Sequence, residues 1–191
     1  MYEGDDVVDI RSLYLRSSSH ADLYVEVGTD DDVFSLENGN VRRDVIITDR
    51  DIPRGNDKIT VQECLVDRFL DINTQGIADV RVIYNDCKYI WIDSGHWGRD
   101  FVSLVGNEAI QFLIDTSNEN DEVVFIGNLI SSNMTLNLHN GNDSLQYSIN
   151  EFWGYSLRID GGAGTDTGSG LPQSRSAIFG LFGVIRVINF E

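Results

Sequence analysis

An aspartate recurs through this 191-residue chain at nearly constant spacing, each time followed by alternating apolar residues. The phrase appears at Asp6-Val7-Val8-Asp9-Ile10, Asp32-Val33-Phe34-Ser35-Leu36, Asp57-Lys58-Ile59-Thr60-Val61, Asp100-Phe101-Val102-Ser103-Leu104, Asp121-Glu122-Val123-Val124-Phe125 and Asp143-Ser144-Leu145-Gln146-Tyr147. Asp79-Val80-Arg81-Val82 carries it slipped by one residue, and Asp166-Thr167 ends the series. The intervals are 26, 25, 22, 21, 21, 22 and 23 residues. Stacked copies would set Asp32, Asp57, Asp79, Asp100, Asp121, Asp143 and Asp166 in one column. Unit charges separated by about 4.8 Å, the strand spacing, repel by about 0.9 kcal/mol in water and by more in a protein interior. Bound Ca²⁺, which favours hard oxygen ligands, would offset this along the column. Asp30, Asp31, Glu119 and Glu122 would assist at some turns, and Lys58, Arg81 and Arg99 would relieve the repulsion from the side. The ion-free alternative is that each Asp accepts backbone N–H bonds within its own turn.

A second set of candidates is apolar. An apolar–x–apolar triplet precedes each Asp from the second copy onward, and its outward positions carry Tyr24, Ile46, Phe69, Tyr89, Trp91 and Leu113, with Asp71 among them. An exposed run of this kind marks a partner or ligand surface. Phe69, Asp71, Tyr89 and Trp91 are the expected binding residues, for a polysaccharide or a protein. A third candidate, a groove gathering Asp71, Asp93, His96, Arg99 and Asp115, would suit acid–base work on a polysaccharide. The three His, at 20, 96 and 139, have no metal-ligand spacing. Cys64 and Cys87 are one period apart and are expected to stack, either bridged or as reduced neighbours.

Both apolar phrases have period 2, which is the signature of a strand with one buried face. The triplets are Val25-Glu26-Val27, Val45-Ile46-Ile47, Leu70-Asp71-Ile72, Ile90-Trp91-Ile92, Phe112-Leu113-Ile114, Leu136-Asn137-Leu138 and Leu157-Arg158-Ile159. A looser third segment follows in each copy, and a 3.6-residue stripe is missing throughout. One period of strand encircles a three-sided coil. The expectation is an all-β, right-handed parallel β-helix of about eight coils of 21–26 residues. One inward wall would hold Val25, Val45, Leu70, Ile90, Phe112, Leu136 and Leu157, and another Phe34, Ile59, Val102, Val123 and Leu145. Residues 1–167 form the repeats, and 168–191 a linker and a C-terminal capping strand. Gly4, Gly55, Gly98, Gly141 and Gly164 lie two residues before an Asp, where a positive φ is expected.

Composition bounds the function. Fourteen Lys and Arg against 31 Asp and Glu give a net charge of −17, which opposes binding to phosphate backbones. No apolar run reaches membrane-spanning length.

Two turns, Gly161-Gly162-Ala163-Gly164-Thr165-Asp166-Thr167 and Gly141-Asn142-Asp143-Ser144-Leu145, resemble the nonapeptide of hemolysin-type (RTX) calcium-binding repeats. That resemblance implies calcium held between successive turns by Asp side chains and carbonyls. The whole chain looks more like the long parallel β-helices of secreted bacterial proteins, a group that includes surface repeats and polysaccharide lyases. The function expected is a non-catalytic, extracellular or cell-surface β-solenoid module, calcium-stabilised, part of a larger protein and open to oligomerisation. The alternative is a polysaccharide-active lyase or glycoside hydrolase.

Overall fold

The computed structural model of the chain describes residues 4–15, 22–49, 55–95, 98–171 and 184–190. Among the described residues the regular structure is β-strand alone, in two sheets whose pairings are all parallel. The first sheet runs Val7–Arg11, Val33–Glu37, Asn56–Gln62, Ile77–Ile83, Phe101–Val105, Glu122–Ile126, Ser144–Ser148 and Thr167–Ser169, with neighbours in space following chain order. The second sheet contains the return strands, including Leu65–Asn73, Asp86–Asp93, Glu108–Asp115 and Leu129–Asn137. Each strand therefore pairs with its own copy one period away, and the chain winds as a parallel β-solenoid of about seven turns. Eight strands of the first sheet bound seven full turns, one fewer than the sequence count.

Period-2 alternation becomes vertical columns because a parallel ladder sets equivalent residues over one another. In the first sheet Phe34, Ile59, Val80, Val102, Val123 and Leu145 stack in register and are buried. In the second sheet one column holds Leu23, Val45, Leu70, Ile90, Phe112, Met134 and Leu157. The next holds Val25, Ile47, Ile72, Ile92, Ile114, Leu136 and Ile159. Val25 and Leu136 thus sit one column away from their expected wall. Leu23, Val25 and Val27, like Met134, Leu136 and Leu138, are three apolar residues in alternation, and either adjacent pair satisfies the pattern.

The third apolar segment is part of the second sheet. Its long strands carry register shifts between Cys87 and Tyr89 and between Ala109 and Gln111, the mark of a bulge. The shift separates a short arm such as Leu65-Val66 from a long arm such as Phe69–Asn73.

At the far end Thr167–Ser169 pairs with Ser144–Gln146 as the last strand of the first sheet. Val184–Ile188 lies parallel on Ser156–Asp160 as the next rung of the second sheet. The rest of the expected linker (172–183) lies outside the described residues, as do His20 and His96. No helix of the described residues is long and apolar enough to cross a membrane.

Candidate functional site

Asp32, Asp57, Asp100, Asp121, Asp143 and Asp166 form a column at the entrance to the first sheet, each at most 2% exposed. Asp79 is not in it. Asp79 pairs with Lys58 and Phe101, so Ala78 occupies the column and Asp79 faces outward to Arg81, at 2.8 Å. The one-residue slip in the sequence reverses the side chain's face, as it must on a pleated strand.

The backbone hydrogen bonds to Oδ1 run between turns along the column, while Asp32 also accepts the Gly28 N–H (3.1 Å) and Asp121 the Ser117 hydroxyl (3.5 Å) within their own turns. The N–H of Asp6 donates to Oδ1 of Asp32 (2.7 Å), that of Asp32 to Asp57 (3.0 Å), and that of Ala78 to Asp100 (2.9 Å). Asp100 donates to Asp121 (2.8 Å), Asp121 to Asp143 (2.8 Å), and Asp143 to Asp166 (2.9 Å). At this corner the backbone N–H points along the solenoid axis, and a short carboxylate from the next turn meets it. Asp30 accepts the Gly4 N–H in the same sense, and Asp31 accepts in the opposite sense, from the Asn56 N–H of the following turn.

Burial dominates the chemistry of these acids. It raises Asp32 and Asp121 above the usual carboxylate range and pushes Asp100 and Asp143 up to about 7, neighbouring acids adding to both. The second oxygen of Asp100, Asp143 and Asp166 is buried without a hydrogen-bond partner. A proton on Asp100 or Asp143 removes the charge that desolvation and Coulomb repulsion oppose. Calcium takes about six to eight oxygen ligands. Among the described residues no group of three or more Asp, Glu, His or Cys is placed to hold a metal ion, and Oδ1 of each bonded column Asp is already engaged. In the turns resembling calcium repeats, glycine serves close packing: a Cβ at Gly162 (φ +85°) would collide with the carbonyl of His139.

A second polar column went unread in the sequence. Asn85, Asn107 and Asn128 are buried at the opposite corner, 22 and 21 residues apart, with Asn150 following after 22. Oδ1 of each accepts the N–H of the equivalent residue one turn back, and Nδ2 donates to a strand carbonyl, as Asn107 does to Val82 (2.8 Å). The residue before each Asn has positive φ: Tyr84 55°, Gly106 67°, Gly127 65° and Ile149 56°. The spacing of the four Asn matches that of the Asp and was the available signal.

Cys64 occupies this Asn column, whereas Cys87 stacks on Val66 and Ala109. The two thiols are offset by two positions along the strand and are free and buried, which corrects the expected stack.

The predicted binding residues do share one outer face. Phe69 pairs with Tyr89, and Asp71 with Trp91. The Phe69 and Tyr89 rings stack at 4.7 Å, and Trp91 meets Phe69 edge-on at 4.9 Å. Arg68 lies 5.3 Å over Phe69 and is held by the buried carboxylate of Asp44. Mutual stacking leaves Phe69, Tyr89 and Trp91 half-buried rather than fully exposed. Burial, with Asp93 and Asp44 nearby, raises Asp71 above the usual carboxylate range.

The expected acid–base groove divides. Asp93 and Asp115 are register neighbours in a groove of about 280 Å³ that also contains His139, whose Nε2 meets Oδ1 of Asp115. Arg99 lines a different groove with Lys58 and Arg81, Asp71 faces the aromatic cluster, and His96 is outside the described residues. No family model matches this chain, and neither does any curated protein or solved structure.

Proposed function

We propose that this chain is a non-catalytic β-solenoid module of a secreted or cell-surface protein. Its stacked columns make a stiff support, and the second sheet presents a binding face on it. The observation that carries this reading is the gathering of Phe69, Tyr89 and Trp91 beside Asp71 on two successive turns. Stacked rings give apolar contact at low entropy cost, and the ring edges and the Asp71 carboxyl offer hydrogen-bonding and C–H contacts to a polysaccharide. Titration with soluble polysaccharides, followed by tryptophan fluorescence, tests it. Saturable binding that weakens at least tenfold in Trp91→Ala, with partial recovery in Trp91→Phe, is expected. Equal binding by both variants would remove the assignment, and binding of proteins alone would turn it toward a protein partner. A fall in melting temperature on adding chelator would reveal calcium sites and displace the account of the Asp column given above.

A second reading, a polysaccharide-active enzyme, draws on the Asp93, Asp115 and His139 groove. New reducing or unsaturated ends, released by the wild type and lost in Asp115→Asn, would establish it.

A further inference from the structure

The groove at the break in the Asp column has the opposite charge character to the molecule as a whole. It measures about 370 Å³ and opens on the outer side of the first sheet, where three basic residues, Lys58, Arg81 and Arg99, outnumber two acids, Asp79 and the buried Asp57, with Ile77 and Phe101 beside them. Lys58, Asp79 and Phe101 lie side by side in three successive turns. Three of the chain's 14 basic residues therefore meet at one place on a molecule with a net charge of −17. Among the described residues Lys58 and Arg99 form no ion pair, and both are exposed. Arg81 is fixed by Nε and Nη2 on the Asp79 carboxylate, at 2.8 and 2.9 Å, with its guanidinium 5.5 Å over the Phe101 ring.

The slip that places Ala78 in the column produces this arrangement. It removes a carboxylate from the corner and moves one outward, where Arg81 neutralises it. Lys58 and Arg99, with no ion pair among the described residues, remain as positive charge beside an apolar floor made by Phe101 and the partly exposed Ile77. Asp31 on the preceding turn is held by the N–H and the side chain of Asn56. At physiological salt the Debye length is about 8 Å, so repulsion from distant acids is damped while contacts inside the groove persist.

We propose that this groove binds an oxyanion carried on a sugar ring, the carboxylate, sulfate or phosphate lying between Lys58 and Arg99 and the ring resting on Phe101 and Ile77. The site is on a different sheet from the aromatic cluster and does not depend on the function proposed there.

Backbone amide NMR titrations with glucuronate, glucose 6-phosphate, glucose and inorganic phosphate test it. Glucuronate and glucose 6-phosphate should shift the signals of Lys58, Ala78 and Arg99 saturably, while glucose leaves them in place; the stronger of the two identifies the source of the oxyanion. Inorganic phosphate should bind about tenfold or more weakly than glucose 6-phosphate, because it lacks the ring. The double variant Lys58→Glu, Arg99→Glu should weaken glucuronate binding about tenfold or more, with the melting temperature held, since both side chains are exposed. Trp91→Ala should leave this binding unchanged, which separates the two sites. Binding of glucose as tight as that of glucuronate, an unchanged affinity in the double variant, or no saturable shift in the wild type would each overturn the proposal. Inorganic phosphate binding as tightly as glucose 6-phosphate would overturn the role of the ring.

Discussion

Lowering the pH from about 8 to about 5 should stabilise this protein through the Asp column. Asp100 and Asp143 have folded values of about 7 against an ordinary value of 3.8. Across that window the unfolded chain takes up almost no proton at these positions, while the folded chain takes up one at each. Stability is therefore fully present below the unfolded value and is lost as pH rises through about 7. Each pH unit below the folded value contributes about 1.4 kcal/mol per group, or roughly 3 kcal/mol at Asp100 by about pH 5. Asp143 is as inaccessible as Asp100 but lies nearer the end of the solenoid, with fewer turns flanking it, and screening there reduces its share to about half, for a total near 4 kcal/mol. Asp44 and Asp160 are held below the ordinary value by Arg68 and Arg158 against the opposing effect of burial, so their losses fall below this window. Urea unfolding followed by far-UV circular dichroism at the two pH values measures the difference. Acidification also lowers the overall negative charge and protonates Asp32 and Asp121, so the double variant Asp100→Asn, Asp143→Asn isolates the share of these two acids and should remove most of the difference, leaving about 1 kcal/mol. A wild-type midpoint that is equal or lower at the acidic pH would refute the reasoning.

Ile149 is 82% exposed at φ 56°, a conformation that strains a β-branched residue. Ile149→Gly should raise stability by about 1 kcal/mol, seen as a higher melting temperature. Asn107→Ala strips an acceptor from the Asn85 N–H and a donor from the Val82 carbonyl, both in a buried column. It should cost about 3 kcal/mol or more in urea unfolding, and a change under about 1 kcal/mol would contradict the ladder. Cys64 and Cys87 are 3% and 4% exposed, and burial raises both thiols above their ordinary range. Native alkylation should be slow, and titration after unfolding without reductant should count two thiols; a cross-linked Cys64–Cys87 peptide would contradict the offset.

The fold was legible because a solenoid makes local pattern and global contact coincide. Asp100 and Asp121 recur at one period with apolar residues two and four positions beyond, and stacking turns that interval into contact. The shared face of Phe69, Asp71, Tyr89 and Trp91 was readable for the same reason, since each is one period or one alternation from the next. Register errors arose where the pattern was degenerate, as at Val25 and Leu136, or where irregular turn lengths moved the frame, as between Cys64 and Cys87. The Asn column was missed because one polar residue per turn carries no apolar phrase to announce it.

The amino-acid order by itself determined which residues face inward, because a pleated strand alternates whatever its neighbours do. It also determined that copies one period apart would meet. Only the tertiary structure decided what each buried polar atom bonds to. The Asp N–H groups point along the axis to the next turn's carboxylate, so charge, burial and hydrogen bonding are settled between coils. The same is true of the basic groove: Lys58, Arg81 and Arg99 come from separate turns, and only winding brings them to one opening.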